Sequence, residues 1–135
     1  MLRLTDATHA EVVAHALDAV PEEACGLLAG VPGRDKVELV YRCRNAAESS
    51  RLYELDPLDH LKADRDAERK GLEIIGVYHS HTHTDSYPSP TDVAQAPDPE
   101  WHYVIVSLRD VAPVVRSFRI VDEGIEEEPI TLTRR

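Results

Sequence analysis

Leu72-Glu73-Ile74-Ile75-Gly76-Val77-Tyr78-His79-Ser80-His81, followed by Ser89-Pro90-Thr91-Asp92, decides how this chain is read. Apart from Glu73, 72–78 is continuously apolar, the pattern of a central strand buried on both faces. Side chains alternate along a strand, so His79 and His81 project to one side at its carboxyl end. Asp92 comes eleven residues after His81, close enough to return as a third ligand. Two imidazoles and a carboxylate, with one position left for water, are the donors of a hydrolytic zinc site.

Each piece also has an ordinary explanation. Alternation alone pairs histidines on strands by chance. Ser89-Pro90-Thr91-Asp92 is a complete capping box, with serine at the N-cap, proline at the first helical position and aspartate at the third. His83 is a competing ligand in a polar loop with Thr82, Thr84 and Asp85. Hydrolysis further needs a carboxylate beside the water but off the metal. Glu22 and Glu23, just before the apolar run Cys25-Gly26-Leu27-Leu28, are the candidates, although such a pair is commonly a solvated helix end. A carboxylate entering an apolar strand is costly without a partner. The joint occurrence of all these pieces favours the metal site.

Around this segment the chain reads as α/β. Thr8 and Glu11 have capping-box spacing, with Val12, Val13, Ala16, Leu17 and Val20 on one helical face ended by Pro21. Cys25 to Ala29 and Lys36 to Tyr41 form a predicted hairpin across a Pro32-Gly33 turn. A polar loop over 45–51 and a short strand over Leu52 to Leu55 lead to Asp56-Pro57, which opens a helix to Lys70 with Leu58 and Leu61 inward, stopped by Gly71. A short helix over Thr91 to Ala96 precedes strands at His102 to Leu108 and Val114 to Val121. An acidic edge strand follows over Ile125 to Leu132, where charge and Pro129 discourage pairing with another chain. The expectation is one domain, 1–135, with a mixed, mostly antiparallel sheet and helices packed on it.

Composition excludes several functions. The 135 residues carry 15 Lys and Arg against 25 Asp and Glu, a formal net charge of −10, which argues against a nucleic-acid surface. One Trp, one Phe and five Tyr leave little for stacking on bases. No apolar run approaches membrane-spanning length and no signal-peptide core precedes the domain, so the expected location is the cytoplasm. Cys25 and Cys43 lie in apolar stretches and read as reduced core thiols.

Glu23, then His79-Ser80-His81, seven residues, Ser89, two residues and Asp92 reproduce the motif of the JAMM metallopeptidases, also called the catalytic MPN or Mov34 type. The resemblance spans nearly the whole chain. Glu23-Ala24-Cys25-Gly26-Leu27-Leu28-Ala29-Gly30, Tyr78-His79-Ser80-His81-Thr82 and His102-Tyr103-Val104 are similar to one bacterial branch, the Mec-type peptidases. The resemblance implies a cytidine-deaminase-like fold, zinc on His79, His81 and Asp92, acid–base catalysis by Glu23 rather than Glu22, and an oxyanion donor in Ser89. That donor role competes, on this reading, with the capping role of the same hydroxyl. The implied partner is a small ubiquitin-like sulfur carrier ending in Gly-Gly, whose attached cysteine is released for cysteine biosynthesis. The alternatives are trimming of a carrier to expose its diglycine, or a broader isopeptidase of ubiquitin-like modifiers. A homodimer is compatible with the sequence. A non-catalytic scaffold of this fold usually lacks the ligands, a DNA-repair-associated relative reads His-Asn-His-Pro-Ser-Gly, and a zinc deaminase needs His-x-Glu with Cys-x-x-Cys; none of these matches.

Overall fold

The computed structural model describes residues 1–134. In chain order its elements are β1 (Leu2–Thr5), α1 (Asp6–Ala19), β2 (Cys25–Gly30), β3 (Leu39–Cys43), α2 (Pro57–Arg69), β4 (Glu73–His81), α3 (Pro90–Ala94), β5 (His102–Ser107), β6 (Val114–Val121), β7 (Gly124–Glu128) and β8 (Ile130–Thr133). The main sheet has the order β3-β2-β4-β5-β6-β7. Its strands are antiparallel neighbours except β4 and β5, which run parallel. A parallel pair cannot be joined by a hairpin and needs a crossover. Here the crossover contains α3, which carries Asp92 back toward the carboxyl end of β4.

Alternation along the strands sorts their side chains into two cores. Leu28, Tyr78, Val104 and Val106 pack with Val12 and Ala16 of α1. Leu27, Val77, Tyr103 and Ile105 pack with Ala63 of α2. His79 and His81 continue the face of Val77, so the polar site opens on the α2 side of the sheet.

Several sequence expectations are corrected. Helix α1 is capped by Thr5, whose hydroxyl accepts from the Thr8 amide, so the box is Thr5 with Thr8 rather than Thr8 with Glu11. The buried stripe of α1 is Thr8, Val12 and Ala16, which leaves Leu17 at its flank and Val20 at the C-cap in solvent, each 55% exposed. Helix α2 starts and stops as expected, with Asp56 as N-cap and Gly71 at φ 73° beyond its end. Its inward residues, however, are Ala63 and Ala67, while Leu58 and Leu61 are 57% and 45% exposed. The alanines let the helix lie close against the sheet. The strand expected over Leu52 to Leu55 shrinks to one bridge between Asn45 and Leu55. The final acidic strand breaks at Pro129, which has no amide hydrogen to donate. Its second half, β8, pairs in parallel with β1, a strand the sequence reading leaves unassigned. Cys25 and Cys43 are buried cross-strand neighbours and free thiols, and burial pushes both up to about 12. Among the described residues no helix is long and apolar enough to cross a membrane.

Glycine is required at position 26. A methyl group there would overlap both the Tyr41 carbonyl oxygen and the Tyr78 ring. That ring is held from behind by a 2.6 Å hydrogen bond between its hydroxyl and His15 Nδ1. Neither neighbour can withdraw cheaply, so Gly26→Ala should lower the unfolding free energy by about 2 kcal/mol. An unchanged denaturant midpoint would show that the strand can shift away.

Candidate metal centre

Strand β4 ends in His79 and His81, with 2% and 4% of their surface exposed. Their Nε2 atoms are 3.1 Å apart. Asp92 Oδ2 lies 3.0 Å from His81 Nε2 and 3.2 Å from His79 Nε2. Helix α3 aims this oxygen: Asp92 is its third residue, and Oδ2 also accepts from the Ser89 amide at 2.9 Å.

Hydrogen positions test whether this cluster suits a cation. His81 Nδ1 faces the Asp85 carbonyl oxygen at 2.7 Å. A carbonyl only accepts, so Nδ1 carries the proton, and a neutral ring then presents a lone pair at Nε2. That lone pair points at a carboxylate oxygen and a second imidazole nitrogen. Electron pairs about 3 Å apart repel unless a proton or a cation sits among them, and a metal ion satisfies all three together. Anchoring the non-ligating imidazole nitrogen on a backbone carbonyl is also the usual support of a metal-binding histidine. The nitrogen and oxygen donor set suits zinc.

Glu23 completes the cluster from the segment before β2. It is 3% exposed, and ligand atoms of Glu23, His79 and His81 all lie within 4.8 Å of one another. Its Oε1 is buried without a hydrogen-bond partner among the described residues. Burial raises its pKa to about 7; the His81 charge opposes that rise and the Asp92 charge adds to it. Burial would also raise Asp92, but the two imidazoles and the Ser89 amide hold it well below the usual carboxylate range. His79 is pushed down by burial, against the pull of Asp92. For His81, burial is outweighed by Asp92 and the Asp85 carbonyl, and its pKa is raised. Three donors thus converge on one point, with a fourth, neutralisable carboxyl beside them.

Glu22 is only half-buried and stands outside this group, and His83 is exposed. Ser89 caps α3, its Oγ accepting from the Asp92 amide at 3.1 Å. Capping therefore uses an oxygen lone pair and leaves the hydroxyl proton to donate elsewhere. The two roles of Ser89 are compatible, against the competition expected from the sequence.

Three supporting residues escape sequence reasoning. Buried Asn45 donates through Nδ2 to the Glu23 carbonyl at 3.0 Å and to the Leu52 carbonyl at 3.1 Å, while its Oδ1 accepts from the Ala47 and Glu54 amides, both at 3.0 Å. It thereby ties the 45–54 loop to the Glu23 backbone. Thr82 Oγ1 reaches the Ser50 carbonyl at 3.0 Å from the strand side. The Tyr53 ring stacks on His79, with centroids 4.2 Å apart and planes inclined by 21°. Among the described residues His79 has no second hydrogen bond of the kind that fixes His81, so this stack orients it. A run of polar loop residues carries no period that would mark any of the three.

Comparison with known proteins places this geometry. The family described as prokaryotic homologues of the JAB domain matches residues 5–121. The CysO-cysteine peptidase of Mycobacterium tuberculosis is 44% identical over 125 residues, covering 92% of this chain and 86% of that protein. A protein of Thermus thermophilus, named a probable TtuB-protein conjugate cleaving protease, is 41% identical and covers 90% of this chain and 77% of its own length. The solution structure of a Desulfitobacterium hafniense protein superposes with a TM-score of 0.92 at 39% identity, covering 100% of this chain and 94% of that one. A structure described as a metalloprotease-like zinc site in the proteasome and signalosome shares the fold at a TM-score of 0.63 and 16% identity, with 98% of each chain covered.

The stack on His79 makes a measurable demand. Tyr53→Leu should weaken zinc binding by about tenfold or more, whereas Tyr53→Phe keeps the ring and should bind as the parent does. Chelator competition reads both, and equal affinities for all three proteins would remove Tyr53 from the centre.

Proposed function

The chain belongs to the family of prokaryotic homologues of the JAB domain, and we propose that it is a zinc metallopeptidase of a ubiquitin-like sulfur carrier. In this reading it hydrolyses the amide bond between the carrier's C-terminal glycine and an attached cysteine, releasing cysteine for biosynthesis. The observation that carries the chemistry is the buried, partnerless Oε1 of Glu23 beside the convergence of His79, His81 and Asp92.

His79, His81 and Asp92 would hold the ion. Bound there, zinc supplies Lewis-acid chemistry, acidifying a water and polarising the scissile carbonyl. Glu23 takes the proton of the attacking water at Oε1 and returns it to the leaving amine. A carboxyl near neutrality suits both transfers, since it accepts and donates at small cost. The Ser89 hydroxyl proton, left over by capping, stabilises charge developing on the carbonyl oxygen.

The 44% identity to the CysO-cysteine peptidase favours a carrier–cysteine conjugate as substrate. A groove of about 430 Å³ adjoins the centre, with Tyr53, Leu55 and Trp101 on its walls and Val77 beneath. Resemblance to the Thermus conjugate-cleaving protease supports a second reading, hydrolysis of carrier–protein conjugates at the same site. The reaction belongs in the cytoplasm, where Cys25 and Cys43 would stay reduced.

Zinc-loaded enzyme incubated with a CysO–cysteine conjugate should lower the carrier's mass by one cysteine; cleavage of a carrier–lysine isopeptide alone would move the assignment to the second reading. Glu23→Gln should retain its zinc and its melting temperature yet lose at least about a hundredfold in turnover. Full activity in that variant would eliminate Glu23 as the proton carrier. Ser89→Ala should lose both its roles together, about 1 kcal/mol of stability and at least about tenfold in kcat. A drop in stability with unchanged kcat would reduce Ser89 to a cap.

A further inference from the structure

Helix α2 buries Ala63 and Ala67 and turns two leucines outward. At about 100° per residue, Leu58, Leu61, Lys62, Arg65, Glu68 and Arg69 share the half of the helix opposite those alanines. Leu58 and Leu61 are the large apolar side chains that this helix leaves in solvent, as Leu17 is on α1. Beside them, a cleft of about 540 Å³ runs between α2 and β3, the edge strand of the main sheet. Arg42, Lys62, Arg65 and Arg69 line it.

These cations stand out in a chain of net charge −10. The two carboxylates in the cleft are already engaged: Asp66 by the Tyr41 hydroxyl, Arg69 and Lys70, and Asp59 by the Arg44 amide. Arg42 pairs with Asp18 at 2.9 Å. Lys62 and Arg65 have no ion-pair partner among the described residues. The surface is thus an apolar centre with unspent positive charge toward the β3 cleft and Glu68 at its opposite margin.

Its position links it to the metal centre. The segment Tyr53 to Leu55 walls the groove beside His79 and runs directly into the Asp56 cap of α2. Across the groove, Trp101 faces His60 of α2, with ring centroids 6.0 Å apart. A carrier whose tail lies in that groove has its folded body next to α2. We propose that the outer face of α2, with Leu58 and Leu61 at its centre and Lys62 and Arg65 beside them, docks the folded body of the carrier through an apolar patch with an acidic margin. This rests on the carrier reading above and adds the surface that selects a whole carrier over its tail.

The test compares two substrates of the zinc-loaded enzyme: folded CysO–cysteine, and a synthetic peptide of the carrier's last residues bearing the same cysteine. The folded conjugate should show kcat/KM at least about tenfold above the peptide. Lys62→Glu with Arg65→Glu should erase that advantage and its dependence on salt while leaving peptide cleavage unchanged. Leu58→Ser with Leu61→Ser should do the same without the change in salt dependence. All four positions are exposed, and unchanged peptide cleavage verifies the fold of each variant. Equal rates for carrier and peptide, or variants that keep the advantage, overturn the docking surface while leaving the peptidase reading intact. Failure to cleave either substrate overturns the carrier reading itself, and the docking surface with it. A concentration-dependent dimer that the charge reversals dissolve, with carrier cleavage unaffected, would assign the face to a second copy of this chain instead.

Discussion

Three electron pairs meet at the end of one strand, and much of the structure is arranged to hold them there. His79 Nε2, His81 Nε2 and Asp92 Oδ2 are 3.0 to 3.2 Å apart, closer than three lone pairs settle without a proton or a cation among them. Rigid supports hold each donor against that repulsion. β4 is bonded on both edges, by β2 and β5, so neither histidine backbone can retreat. Asp85 anchors one imidazole, Tyr53 backs the other, and the reciprocal bonds of Ser89 and Asp92 fix the carboxylate. The preorganisation that would bind an ion is the same rigidity seen in the central strand.

The surrounding polar atoms divide their capacities. Ser89 accepts with a lone pair and keeps its proton. His81 donates from Nδ1 and keeps its Nε2 pair. Glu23 is secured through its backbone, by Ser49 and Asn45, while its carboxyl oxygen remains unengaged. In each case the structural bond occupies one function of the group and leaves the reactive one available. An unsatisfied buried carboxyl oxygen costs stability, and it is retained beside the three donors.

The sequence made much of this readable because the determinants are periodic or sharply spaced. Alternation along 72–81 locates the histidines, and the Ser89–Asp92 box locates the helix that returns the aspartate. What escaped has a common cause. Asn45, Thr82 and Tyr53 act through contacts of an irregular segment with residues distant in the chain, which leave no period in it. Leu58 and Leu61 were assigned inward because apolar residues at helical spacing normally face a core, yet helix–sheet closeness here admits only alanine. β1 and β8 pair from opposite ends of the chain, a relation no local pattern records. The capping box of α1 was misplaced by three residues because threonines at 5 and 8 both fit the motif.

The outward leucines of α2 are the informative departure from helical patterning. A helix exposing its larger apolar residues gains nothing from them within its own fold, and solvent contact there carries a hydration cost. Alternation and packing account for the buried clusters on both faces of the sheet, and the leucines of α2 belong to neither. Lys62 and Arg65 beside them favour an acidic partner, since opposite charges attract across the encounter. The loop that orients His79 is continuous with this helix. Whatever settles on α2 is therefore held within a few residues of the bond to be broken, and binding there raises the local concentration of a tail at the metal centre.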